Sequence, residues 1–174
     1  MREIIWKSFV VAGFAAMAAL PATAGTKESA EACFAKLKSL AGDWVTKDPK
    51  SGNEVVALRF RVTSGGSALQ ETEMPGSPYE MVTFYHMDGD SLVMTHYCHL
   101  GNQPHMKATT ASTPAKIVFQ CASVGNAKSE KDMHMHGLTI TPKDDQTLEA
   151  DWQLAQDGKP GEIAKFIVHR KPAK

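Results

Sequence analysis

The residues best suited to chemistry are histidines that lie on predicted strands. His134 and His136 stand two positions apart in a segment whose residue types predict a β-strand. Side chains two apart on a strand point to the same face, so both imidazoles can reach one ion. His96, on an earlier predicted strand, would complete a set of three nitrogen ligands. Such ligands suit zinc or copper, and Met133 and Met135 beside them suit copper(I), so a metal-binding protein is one hypothesis.

A histidine pair at the end of a strand, solvated or hydrogen-bonded, is the simpler interpretation of His134 and His136. A second candidate is a thiolate–imidazole pair, because a turn at Gly101 and Asn102 would set Cys98 opposite His105 on the neighbouring strand. No third orienting group or oxyanion-hole loop accompanies that pair, and the sequence carries no paired-carboxylate or nucleotide motif. We therefore predict no catalytic residues and favour a protein that is not an enzyme.

The sequence holds three cysteines, Cys33, Cys98 and Cys121, so at least one thiol is free or pairs with another chain. A disulfide between Cys98 and Cys121 is disfavoured, because an intervening strand would hold them roughly 10 Å apart. Cys33, on a predicted helix, can pair with either of the other two. The sequence leaves the pairing open.

One helix and a series of strands must position these side chains. Apolar residues recur every three or four positions from Ser29 to Leu40, which predicts a helix that ends near Gly42. After Trp44, short runs rich in β-branched and aromatic residues alternate with turn-forming clusters. These runs predict about ten strands, near residues 44–48, 54–63, 67–74, 79–87, 91–100, 103–112, 115–123, 134–142, 146–155 and 161–170.

Short turns between consecutive strands make them antiparallel, and such a sheet has two unpaired edges unless it closes. We therefore predict an all-β fold, an antiparallel up-and-down β-barrel of about 8–10 strands with one short N-terminal helix. A β-sandwich is the alternative. The barrel is preferred because nearly all connections are tight sequential hairpins.

The two ends of the predicted barrel carry a motif. Gly42-Asp43-Trp44 follows the helix and Arg170 ends the last strand, which resembles the calycin superfamily of lipocalins and fatty-acid-binding proteins. The resemblance implies that Trp44 packs under Arg170 to seal one end of the barrel. Segments 80–104, 134–136 and 152–158 are similar to a group of small exported bacterial calycin-like proteins, which implies the fold and supplies no catalytic residues.

The first residues predict export. Arg2 and Lys7 precede the apolar run Phe9–Leu20, and Ala22-Thr23-Ala24 has the small-x-small pattern of a cleavage site. We predict a signal peptide over residues 1–24, a single domain over 25–174, and a periplasmic or secreted protein. The 19 basic and 19 acidic residues argue against nucleic acid as a partner, and no apolar run reaches the roughly 20 residues that span a membrane.

Alternation along the strands predicts which side chains share a face. A turn at Asp88 and Gly89 groups Tyr85 with Met94 and His96, and the next turn adds Cys98, His105 and Lys107. Val82, Phe84, Met106 and Phe119 fall on the other face. Because both faces are mixed, alternation alone does not identify the interior of this region.

If the His96 face is the inner one, the interior forms a pocket for a small, largely apolar molecule, which is the function we favour. The side chains expected to line it are Glu71, Tyr85, Met94, His96, Cys98, His134, His136 and Trp152. No cofactor is predicted. Haem is disfavoured because His169, on the last strand, should point outward, which leaves only His96 or His136 as a weak candidate ligand.

Overall fold

The computed structural model describes residues 26–129 and 131–172, so the predicted signal peptide lies outside the described residues. In this part of the chain a helix precedes ten strands, with one 3-10 turn at Ser64–Gly66. The elements are α1 (Lys27–Ser39), β1 (Gly42–Lys47), β2 (Glu54–Thr63), β3 (Ala68–Glu73), β4 (Met81–Asp88), β5 (Ser91–Tyr97), β6 (Gln103–Ala108), β7 (Ile117–Gly125), β8 (His134–Pro142), β9 (Thr147–Gln156) and β10 (Lys159–Arg170). Across the described ranges, no helix is both long and apolar enough to cross a membrane.

The strands form a closed antiparallel barrel in which each strand pairs with its neighbours in sequence and β1 pairs with β10. This confirms the predicted fold class and the up-and-down order. β2 and β8 have the predicted bounds, and the other strands differ by a few residues. Closure pairs β1 with β10 and so removes the two edge strands that an open sheet would have, which is the physical reason for preferring it.

Helix α1 lies against one end of the barrel. Thr26 caps it by accepting a hydrogen bond from the backbone N–H of Ser29, and its buried stripe consists of Cys33, Phe34 and Leu37. These side chains join the core cluster formed by the inner faces of the strands. All three cysteines of the chain are free thiols, which settles the pairing that the sequence left open.

Trp44 and Arg170 seal the barrel beside this helix. They pair across β1 and β10, and the guanidinium carbon lies 4.4 Å from the centre of the buried indole. The guanidinium donates hydrogen bonds to the backbone carbonyls of Ser39, Ala41 and Asp145. The indole N–H donates to the carbonyl of Leu40 at 2.8 Å. The packing implied by the resemblance is therefore present in full.

The register of the hairpin between β4 and β5 differs slightly from the prediction. Asp88 pairs with Ser91, so the turn residues are Gly89 and Asp90, and Thr83 lies opposite His96. A shift by two residues keeps every side chain on its predicted face. The face of Tyr85, Met94 and His96 is the inner one, as these side chains are fully buried.

The next hairpin contradicts the predicted faces. The chain between β5 and β6 is a longer loop, with the N–H of Cys98 bonded to the carbonyl of Asn102, and Met94 pairs with Met106. This odd shift turns Met106 and Phe119 inward, and it turns His105 and Lys107 outward. His105 pairs with Thr95 on the outer face, so the predicted Cys98–His105 pair is wrong.

Candidate functional site

The structure separates the eight predicted pocket residues into two groups. Six of them lie in the packed interior: Glu71, Tyr85, Met94, His96, Cys98 and Trp152. Five of the six are only 0–1% exposed, and Cys98 is 7% exposed. A side chain lining a space large enough for a guest would be accessible to a water-sized sphere, so this part of the interior is filled by its own side chains. His134 and His136 form the second group, at the wall of a cavity.

The first group contains a buried polar network on β3, β4 and β5. The hydroxyl of Tyr85 donates a hydrogen bond to the Glu71 carboxylate. Next to it, the hydroxyl of Thr83 donates to Glu73 at 3.3 Å and lies 2.8 Å from Nδ1 of His96. Because the hydroxyl proton of Thr83 goes to Glu73, Nδ1 of His96 must carry the proton that joins it to Thr83.

Burial and charge set the protonation of this network. Burial lowers the pKa of His96, but Cys98 and the Glu73 carboxylate outweigh it and raise the pKa from 6.5 to about 9. Burial, and then the charge of Glu73, raise the pKa of Glu71 to about 8. Burial and the neighbouring Glu71 also raise the pKa of Tyr85. At neutral pH the network therefore contains an imidazolium paired with Glu73 and a protonated Glu71.

The second nitrogen of His96 faces the apolar interior. The His96 and Trp152 rings lie 4.5 Å apart between centres, and Nε2 of His96 has no hydrogen-bond partner among the described residues. The ring nitrogens of His96 are not part of the cluster of ligand atoms that contains His134 and His136. The predicted third metal ligand thus belongs to the interior network.

The second group lies where two strands separate. The pairing of β7 with β8 ends at Gln120 and Gly137, although both strands continue beyond these residues. On the other side of β8, a bulge between Met135 and Gly137 makes His136 the extra residue. A bulge re-aims side chains, and here it lies beside a cavity of about 630 Å³ that is partly open to solvent.

Three potential ligands meet at this cavity. One ligand atom from each of Cys121, His134 and His136 lies within 4.8 Å of the other two, and all three residues line the cavity. His134 is buried, while Cys121 and His136 are half-buried. Sequence reasoning brought the two histidines together and missed Cys121. The register of β7 with β8 would have indicated Cys121. Continued by one residue beyond the Gln120–Gly137 pair, this register sets Cys121 opposite His136.

Hydrogen bonds orient these side chains. Nδ1 of His134 lies 2.8 Å from the carbonyl oxygen of Asp132, which can only accept, so Nδ1 carries a proton. Nε2 of His134 forms a hydrogen bond with Nδ1 of His136 at 3.2 Å. The thiol of Cys121 donates to the carbonyl of Ser123, and burial raises the pKa of this thiol.

The remaining lining of the cavity is mostly small. It comprises Ala122, Ser123, Val124, Ala127, Lys128, Ser129, Ala155, Gly158, Lys159 and Pro160. Apolar groups surround the ligand cluster, and two lysines are the cationic groups of this described lining. Chemically, the arrangement offers one sulfur atom and two nitrogen atoms as donors at the wall of this cavity.

Comparison with protein-family models gave no match for this sequence. Comparison with curated proteins likewise gave no match.

Proposed function

We propose that this protein binds a zinc ion through Cys121, His134 and His136. The observation that carries the proposal is the spacing of the two nitrogens. Two nitrogens held at about 2.0–2.1 Å from one zinc ion in tetrahedral geometry lie roughly 3.3–3.4 Å apart. Nε2 of His134 and Nδ1 of His136 are separated by 3.2 Å. This separation is close to the one that zinc requires, and zinc would displace the proton of the hydrogen bond between the two rings.

The surroundings of the donors support the same function. A histidine ligand of zinc almost always donates its second N–H to a carboxylate, carbonyl or water, and the Asp132 carbonyl has this role for His134. One thiolate and two imidazoles favour zinc or copper over magnesium or calcium, which prefer oxygen. We favour zinc over copper(I) because a single thiolate among imidazoles is a borderline rather than a soft donor set.

Metal analysis of the purified chain tests this proposal. We expect one zinc ion per chain, and we expect Cys121→Ser, His134→Ala and His136→Ala each to weaken zinc binding by at least about tenfold. His105→Ala is the matched control, because His105 lies on the outer face of β6 and bonds only to Thr95. Circular dichroism would verify that each variant folds. Uptake of copper(I) without zinc, or equal zinc affinity in all folded variants, would contradict the proposal.

Small-molecule binding, the function favoured by the sequence, is a second candidate. The cavity beside the cluster favours it, because about 630 Å³ falls within the range of roughly 300–1,000 Å³ typical of ligand sites. The guest would occupy this cavity, since the central side chains pack against one another. Native mass spectrometry of protein isolated from its own cell envelope would detect a retained organic mass, and only metal-free or metal-bound chains would argue against it.

The proposal includes the class and the location of the protein. We infer an exported calycin-like barrel, and the closed strand order and the Trp44–Arg170 seal support this inference. Export would remove residues 1–24 and deliver the chain to the periplasm or the medium. N-terminal sequencing of the protein from the periplasmic fraction should give a start at Gly25. A full-length chain confined to the cytoplasm would contradict it.

A further inference from the structure

We propose that the zinc ion keeps one coordination position open toward the cavity, and that a small organic anion with an apolar body binds there through its donor atom. This inference rests on the proposed zinc site and adds the class of molecule that the site recognises. It joins the two candidate functions in one site, because the metal and the guest would share the cavity.

The placement of the protein donors supports the open position. Cys121, His134 and His136 are the donors that meet at the cavity among the described residues. Structural zinc sites use four protein ligands, whereas sites that bind water or substrate use three. All three ligand residues line the same cavity, so the fourth position faces a space that a small molecule can enter.

Charge selects an anion for that position. Zinc with one thiolate and two neutral imidazoles carries a net charge of +1, which an anionic fourth ligand neutralises. Lys128 and Lys159 are part of the cavity lining and add positive charge to it. A neutral donor gains from neither contribution.

The rest of the lining selects the body of the guest. Ala122, Val124, Ala155 and Pro160 present apolar groups to the cavity, and no bulky side chain obstructs it among the lining residues described. A short aliphatic chain attached to the anionic group would bury its surface against them, at about 25 cal/mol for each Å² removed from water. Aliphatic monocarboxylates are the simplest molecules with both properties.

Cobalt(II) substitution makes the fourth position visible, because the visible absorption of cobalt responds to its ligands. The cobalt-loaded protein would be titrated with octanoate, with azide as a small anion and with 1-octanol as a neutral molecule of equal chain length. We expect saturable spectral changes with both anions, tighter binding of octanoate than of azide, and no spectral change with 1-octanol. The double substitution Lys128→Ala/Lys159→Ala should weaken octanoate binding about tenfold.

A filled cavity provides the matched variant. Ala127 lies on the loop after β7 and lines the cavity without being one of the proposed metal ligands. Ala127→Trp should weaken the response to octanoate more than the response to azide. Should this variant fail to fold, the comparison of octanoate, azide and 1-octanol on the unaltered chain still decides the question.

The outcomes separate the two proposals. Failure to bind either zinc or cobalt overturns the proposed function and this inference with it. Stoichiometric metal binding with a spectrum that ignores both anions overturns only the open position. Equal spectral responses to octanoate and 1-octanol would overturn the preference for an anion. Equal affinities for octanoate and azide would overturn the preference for an apolar chain.

Discussion

Removal of the Arg170 guanidinium should destabilise the whole barrel, because this group ties β10 to β1 and to the end of α1. Arg170→Ala removes a cation–π contact worth about 1 kcal/mol and three hydrogen bonds worth about 1 kcal/mol each to backbone carbonyls. Water replaces part of the hydrogen bonding at this half-buried site. We therefore expect the free energy of unfolding to fall by about 3 kcal/mol.

The assay is thermal and denaturant unfolding of the purified chain. At about 2–4 °C per kcal/mol for a domain of this size, Arg170→Ala should lower Tm by about 10 °C. Arg170→Lys keeps the charge but loses the planar guanidinium, so its Tm should lie between those of the unaltered chain and Arg170→Ala. Arg61→Ala is the control, since Arg61 is exposed and donates only to the side chain of Gln70. Equal Tm values for Arg170→Ala and Arg61→Ala would refute the proposed role of the seal.

The buried network and the first strand give three further tests. The pKa of His96 is raised from 6.5 to about 9, so its contribution is complete below pH 6.5 and about 3 kcal/mol of stability is lost as the pH rises to 9. Glu71, with its pKa raised to about 8, acts in the same direction between pH 4.5 and 8. Denaturant unfolding from pH 6 to 9 should show a smaller loss for His96→Gln, and an identical loss would contradict the pairing. Tyr85→Phe removes the hydrogen bond to the buried Glu71 and should cost about 1–3 kcal/mol in the same assay, whereas a change under about 0.5 kcal/mol would show that Glu71 needs no donor. Gly42→Ala should cost about 1–3 kcal/mol, because φ is 125° there, and an unchanged Tm would mean that the backbone relaxes.

Sequence patterns predict this fold well where one face of a strand is purely apolar. In β9, Leu148, Ala150 and Trp152 alternate with acidic and amide side chains, and all three are buried. The turns before and after β9 then determine which side chains of β8 and β10 face inward. The same reasoning places Glu71 on the inner face of β3, where the structure finds it fully buried with Tyr85 as its partner.

The faces of β5 to β7 are harder to predict, because their registers depend on loop lengths. A strand has a side-chain period of two, so a single residue added to the loop after Cys98 exchanges the inner and outer sets. Gly101 and Asn102 look like a two-residue turn, yet the loop begins at Cys98. For this reason Met106 lies on the inner face and His105 on the outer face, the reverse of the prediction.

Face assignment also says little about empty volume. Tyr85, Met94, Phe119 and Trp152 all point inward, and together they fill the centre that the sequence suggested as a pocket. A list of inward residues gives their chemistry without their packing, since side-chain rotamers and strand separation determine what space is left. The cavity appears instead where β7 and β8 stop pairing, a feature set by a bulge and a loop.

The protonation of each imidazole separates the structural histidine from the candidate ligands better than spacing does. His96 contacts Glu73 and Thr83 through Nδ1, and the pKa raised to about 9 keeps it as an imidazolium without a lone pair at neutral pH. His134 meets a neutral carbonyl through Nδ1, and its Nε2 lies beside Nδ1 of His136 at the cavity. His96, His134 and His136 look equivalent in the sequence, and the contact that Nδ1 makes distinguishes them. A buried carboxylate next to an imidazole holds a proton and strengthens the core, whereas a backbone carbonyl orients the ring and leaves its other nitrogen available for a metal.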